Sequence, residues 1–394
     1  MRKKYVYTKK FVSSNKNKVL ISLLFIGLIF QFVAFKTVGT HLPHGLGLED
    51  TTQENIKASE KSIRELKSFI ESGDPPENAE ELLRELNDEL KLDKAKLQAL
   101  EVNNYNEFWR LDNLYNEQRI KKLEEAQKNG EELPFGGGYE YFKATSKWYH
   151  QVLDSGQDFT QASGVNPSSI GAALYILIGL GGLYGLILLT FICGDALAME
   201  MPNGLRYYHL MKKDKKVLHF QHLFIPTGFV LLLILSTLLV FALIAGLQFG
   251  IGSWNFPNFV VGAIYDVFQG EELLWRLLYL LLAILFITSL GQLLSQFIRK
   301  AYIPSAVIAL LLVTYSIIHT HEAMKTIIKW IPLTYLNINT VLQFSNGENS
   351  WPTSGNFLFG RDSLWIGALV LLSCSILFYS ISHFLFTKYI YRKA

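Results

Sequence analysis

The chain is poor in cysteine. Cys193 and Cys374 are its only two, and none falls between residues 37 and 168, so no disulfide framework holds that stretch. It also lacks any Gly-x-x-x-x-Gly-Lys-Ser/Thr segment, and with it the loop that cradles nucleotide phosphates. No Ser/His/Asp or Cys/His constellation can be assembled, because His150 and the carboxylates around it are scattered. We therefore expect no catalytic residues and no directly bound cofactor. His319-x-His321-Glu322 is the nearest approach to a metal-ligand group, and its composition is ordinary for a membrane interface, so no metal is expected. Basic residues are missing from the loop at 248–272, and only Lys325, Lys329 and Arg361 occur at 321–362.

The chain is rich in long apolar runs: 19–35, 170–193, 223–247, 273–297, 303–320 and 363–386. A hydrocarbon core of about 30 Å takes about 20 helical residues, and most of the runs are that long. The runs do not alternate apolar with polar residues, which excludes the strands of a closed barrel. The expected fold is an all-α polytopic membrane protein with six transmembrane helices. The first run is the shortest, and Lys18 and Lys36 flank it where they can snorkel. It has no small-x-small cleavage site before Lys36, so we read it as a retained anchor rather than a signal peptide.

Charge then orients the spans. Lys and Arg concentrate in the N-terminal tail, in 206–216, in Arg299-Lys300 and after residue 386. With six spans, these four stretches share one side. The positive-inside bias makes that side, and both termini, cytoplasmic. Trp254, Trp275, Trp330, Trp351 and Trp365 would then form an outer interfacial belt. Lysine (27) outnumbers arginine (10), a composition that suits a low-GC bacterium, and the spans would then lie in its cytoplasmic membrane.

Three regions follow. Residues 1–36 are a basic tail and the first span. Residues 37–168 form an extracytoplasmic insert with 25 acidic against 15 basic residues. Residues 169–394 hold five further spans, a cytoplasmic loop at 194–222 and outer interfacial helices at 321–345. In the insert, Ile56, Ile63 and Ile70 repeat every seven positions. Leu83, Leu86, Leu90, Leu97 and Leu100 form a second stripe, which Tyr105, Phe108, Leu111 and Tyr115 continue with a phase shift. The pattern predicts a coiled-coil-like helical hairpin whose second arm runs about 50 residues, or about 75 Å. A hinge at Gly136-Gly137-Gly138 and a helix near 139–153 follow. The insert's acidity suits a cationic ligand. Tyr141, Phe142, Trp148 and Tyr149 are candidates for contacting an amphipathic peptide, with packing against the hairpin base as the alternative. Glu272, four residues before Arg276, is the expected partner of that intramembrane charge.

Gly194-Asp195-Ala196-Leu197-Ala198-Met199-Glu200, then Gly204 and Arg206 in a basic stretch leading to the third span, resembles the permease subunits of type-2 ABC exporters. The matching positions are Gly194, Asp195, Ala198, Glu200 and Gly204. The chain departs from the family at Met211-Lys212, where a Pro is common, and at His222, where a Lys is common. The resemblance implies that this loop couples to a separate ATPase subunit, which holds ATP and Mg. It implies a second permease copy or a paralogue, membrane lipid around the spans, and export of an amphipathic peptide or antimicrobial. Asp195 and Glu200 would meet a basic groove on the ATPase, or pair with Arg206 and the lysines after it. No nucleic-acid partner is expected. The competing reading is a sensor that couples the ATPase to an external partner without moving cargo.

Overall fold

The computed structural model describes residues 6–40, 48–73, 78–129, 138–154, 168–200, 215–255, 257–258, 267–298, 300–318, 330–337, 341 and 361–390. Each apolar run becomes helix because its aliphatic side chains leave the backbone to satisfy itself internally. A short helix α1 (Val6–Ser13) leads into α2 (Asn15–Thr40). The second run gives α7 (Ser169–Leu180) and α8 (Leu183–Cys193). The later runs give α9 (Lys215–Phe249), α10 (Gln269–Phe297), α11 (Ile303–Ile318) and α12 (Arg361–Leu385). A π-helical turn, Phe386–Ile390, closes the last helix, and Pro257–Asn258 pairs with Val267–Phe268 as a two-residue antiparallel ladder.

Among the described residues, four helical stretches are long and apolar enough to cross a membrane: Asn15–Lys36, Lys216–Phe249, Gly270–Phe297 and Leu364–Lys388. The α7–α8 pair makes a fifth only if its two halves, bent by 71° at Gly181-Gly182, count as one span. At 16 residues, α11 rises about 24 Å, short of the roughly 30 Å hydrocarbon core. The structure therefore carries four to five candidate spans where six were expected. The difference lies in a glycine break and a short fifth helix.

Packing fixes the relative direction of these helices. Phe11 lies 6.0 Å from Phe229, and Phe35 6.5 Å from Phe249, so the α1–α2 segment and α9 run the same way. Thr227 bonds Thr288, and Gln292 Nε2 donates to the His219 carbonyl, so α10 runs against α9. Trp275 meets Trp365 and Gln296 meets Ser382, so α12 runs with α10. Ser305, at the start of α11, donates to the Thr190 carbonyl near the end of α8. Lys16, Lys18, Lys216, Lys300 and Lys388 consequently gather at one end of the bundle, here called the basic end, and Trp275 and Trp365 lie toward the other.

The intervening residues form α3 (Leu48–Glu71), α4 (Ala79–Glu101), α5 (Tyr105–Lys128) and α6 (Gly138–Asp154). The expected 50-residue arm is two helices. Asn103 adopts a left-handed φ of 54° at the break, a conformation asparagine tolerates better than most residues. Asn104 then caps α5, its side chain accepting from the Glu107 N–H at 3.1 Å. The phase shift after Leu100 was the trace of this turn. Helix α3 packs on α4, α4 on α5, and α5 on α6, so the expected hairpin is one part of a larger helical bundle. Its aromatic core contains Leu100, Phe108, Trp109, Tyr149 and Val152. Surface ion pairs Lys94–Glu60 (2.9 Å) and Lys122–Glu85 (2.7 Å) link neighbouring helices but are exposed, so water and salt screen them and they add little stability. The helix following the glycine hinge forms near the expected limits, while Gly136 and Gly137 lie outside the described residues.

Candidate functional site

The turn that follows α8 is the best-defined candidate. Gly194 through Ala198 are buried, as is Glu200. Two close approaches seat the turn. A Cβ on Gly291 would fall 2.0 Å from the Gly194 carbonyl oxygen, so only glycine lets α10 lie against this backbone. Ser305 Oγ donates to the Thr190 carbonyl at 3.0 Å, tying α11 to the same place.

Asp195 is fully buried and forms an ion pair with Lys16 at the start of α2. The Lys16 ammonium also donates to the Phe191 carbonyl at 2.7 Å and sits 5.8 Å from the Tyr302 ring centroid. A carboxylate in this apolar setting is strongly disfavoured without a partner, and Lys16 supplies one. Asp195 thus finds its cation at the N-terminus of the chain. Lys212 and Lys213, among the lysines also expected as partners, lie outside the described residues. Glu200, in the same turn, is buried at 4% exposure, and Ala198 is fully enclosed. Gly204 and Arg206 lie outside the described residues.

Two of the aromatic candidates of the 37–168 region, Trp148 and Tyr149, pack in its core. Tyr149 stacks on Trp109 at 5.6 Å and donates to Asp112 through its hydroxyl. Trp148 is half-buried, edge-on to Trp109 at 6.1 Å, and Phe142 lies 5.4 Å from the Arg119 guanidinium. Trp148 and Tyr149 thus take part in packing, the alternative named for them, and the Tyr141 side chain is outside the described residues. Asp112 also holds Lys96 at 2.8 Å, with Asp93 at 3.0 Å on the other side. Burial pushes the Lys96 ammonium toward losing its proton, but Asp112 and Asp93 outweigh it and the net pKa shift is upward.

Toward the end opposite the basic one, Arg276 and Glu272 form the expected pair at 2.5 Å, both almost fully buried. Tyr279 donates to the Leu364 carbonyl at 2.7 Å, and Trp275 packs edge-on against Trp365 at 4.8 Å. Tyr315 and Thr334 share a short hydroxyl contact that joins α11 to the 3-10 turn Pro332–Tyr335. Most of the expected interfacial helices at 321–345, with His319, His321 and Glu322, fall outside the described residues. Among the described residues, no group of three or more His, Cys, Asp or Glu has metal-binding geometry.

A second polar cluster escaped the sequence reading. His219 on α9, Gln292 and Gln296 on α10, and Ser382 and His383 on α12 converge near the basic end. Four of these five are buried, in a region where unpaired polar groups are costly. The only trace in the sequence was polar side chains inside apolar runs.

In comparison with known proteins, no family model, no curated protein and no solved structure matches the chain.

Proposed function

We propose that this chain is the membrane permease subunit of an ATP-driven exporter of the type-2 ABC kind. The observation that supports this is the seating of the Gly194–Glu200 turn. It is held at once by Lys16 of α2, by Gly291 of α10 and by Ser305 of α11. A partner that displaced the segment after Glu200 would move three helices together, which is what a coupling element has to do. In this reading the basic end faces the cytoplasm, six segments cross the membrane, and residues 37–168 lie outside the cell. A separate ATPase subunit binds ATP and Mg, a second copy or a paralogue completes the pathway, and an amphipathic peptide is the cargo.

The test is to purify the tagged chain from its native host in mild detergent and identify its stoichiometric partners. A co-purifying ATP-binding cassette protein supports the exporter. A kinase or cell-wall enzyme in its place sinks it.

The sensor reading draws on one observation: Trp148 and Tyr149, two of the side chains nominated for cargo, are packed against Trp109 in the 37–168 bundle. Reconstituted complex supplied with ATP and labelled cationic peptide separates the two. Uptake of peptide into inverted vesicles favours export, and ATP turnover without uptake favours signal transmission.

A further inference from the structure

Helices α5 and α6 bring together three polar groups that neither reading above uses. Asn113 and Glu117 stand one turn apart on α5, and His150 reaches them from α6, 33 positions beyond Glu117 in the chain. Asn113 Nδ2 lies 3.0 Å from Glu117 Oε1 and 3.2 Å from His150 Nε2, and that Nε2 lies 3.0 Å from the same Oε1. The three atoms close a triangle of nearly equal sides.

With Glu117 as a carboxylate, hydrogen bonding does not satisfy that triangle. If Nε2 carries a proton, it donates to Glu117, and the Asn113 amide hydrogens face another donor. If Nε2 is bare, it accepts from Asn113, and its lone pair faces the carboxylate oxygen at 3.0 Å. Either way one contact of like with like remains.

Asn113 adds a second imbalance. The residue is 5% exposed, and its Oδ1 is buried without a partner. Turning the amide over about its last side-chain bond brings that oxygen to the triangle and leaves the amide nitrogen in its place, so the reversal exchanges one unmatched group for another. The triangle then presents an imidazole nitrogen, a carboxylate oxygen and an amide oxygen, three lone pairs with no hydrogen among them.

A divalent cation fits such a set. Zinc binds nitrogen and oxygen ligands at about 2.0–2.2 Å, so donors spaced 3.0–3.2 Å apart subtend roughly 85–105° at the metal, between octahedral and tetrahedral values. The His150 and Glu117 side chains are 59% and 38% exposed, which leaves the remaining coordination positions open to water. The two helices are tied on either side of the triangle, by Tyr149 on Asp112 and by Tyr139 on Glu124 at 2.9 Å. The excess of acidic residues over 37–168 favours the approach of a cation.

We propose that Asn113, Glu117 and His150 form a binding site for a divalent cation of the zinc class, which clamps α5 to α6, with water completing the coordination. His150 binds through Nε2 and keeps its proton on Nδ1. The site lies wholly within the 37–168 bundle, so the inference does not depend on the exporter reading.

The experiment is calorimetric titration of the full-length protein with zinc chloride at neutral pH. The protein is purified in mild detergent, freed of any affinity tag and stripped with chelator. We expect one saturable equivalent that His150→Ala or Glu117→Gln abolishes or weakens at least about tenfold, since losing a direct ligand costs no less than losing an outer-shell partner. Asn113→Asp puts a carboxylate where the amide stands and should tighten binding. Cobalt in place of zinc should give visible absorption bands that are lost in His150→Ala. Absence of saturable binding, or binding in His150→Ala equal to that of the unaltered chain, overturns the site. Unchanged or weaker binding in a folded Asn113→Asp protein overturns the three-donor geometry. Should Asn113→Asp not fold, His150→Ala decides, because that side chain is exposed and helical circular dichroism checks its fold.

Discussion

Lys16 and Asp195 are 179 positions apart in the chain and meet as an ion pair, the carboxylate fully enclosed. Removing one partner leaves a buried charge unmatched, which typically costs about 3–5 kcal/mol. Lys16→Met should therefore lower the melting temperature of the purified chain sharply. Lys16→Met combined with Asp195→Asn should recover part of the loss, since neither charge then remains. Equal melting of the single and double variants would show that the two residues do not couple.

The α8–α10 crossing makes a steric prediction. Gly291→Ala places a methyl group against the Gly194 carbonyl and should cost about 1–3 kcal/mol by overpacking. Gly228→Ala is the matched control on α9, where an added Cβ meets nothing within 4 Å. Thermal unfolding of both variants in the same detergent gives the comparison. Equal stability would mean the crossing relaxes without strain.

In the 37–168 bundle, Asn103 and Asn104 divide the work of the α4–α5 turn. Asn103→Gly should be close to neutral, because glycine adopts φ of 54° freely, while Asn103→Val should cost about 1–2 kcal/mol. Asn104→Ala removes the cap on Glu107 N–H and should cost about 1 kcal/mol. Chemical denaturation followed by helical circular dichroism reads all three. A ranking with valine the mildest would contradict the turn.

Alkaline pH should loosen the same bundle. The Lys96 pKa is raised on folding, so its contribution is complete below the ordinary lysine value near 10.4 and is lost as pH climbs through the folded value. Burial, chiefly, pushes the Tyr115 phenol up to about 12, which acts in the same direction above its ordinary value near 10. Stability measured from about pH 9 to about pH 12 should fall, and Lys96→Met should flatten that fall while lowering stability at neutral pH. An unchanged slope in the variant would remove Lys96 as the cause.

How far these features could be read from the sequence follows from their range. Glu272 and Arg276 stand one helical turn apart, so their pairing was visible in the spacing. Asp195 was conspicuous as an acid at the end of an apolar run. Its partner was hidden, because nothing local distinguishes Lys16 from the other lysines of the tail. The turn at Asn103 announced itself only as a slip in the apolar stripe. The bend at Gly181-Gly182 left no such slip, since the residues on both sides are apolar around the whole helix. The His219 cluster draws on three helices, and each of its residues alone looks like ordinary helix content.

The elbow between α7 and α8 bears on what the second apolar run can transmit. Its two arms, of 12 and 11 residues, are moored separately. Ser169 Oγ bonds the Ala242 carbonyl near the far end of α9, while the lower arm is pinned at Thr190 and Gly194. A straight rod would pass an axial push from one face of the membrane to the other. A rod bent by 71° turns most of that push into a sideways swing of the upper arm, as a crank does. Motion entering at Gly194 would thus emerge near Ser168 mainly as rotation.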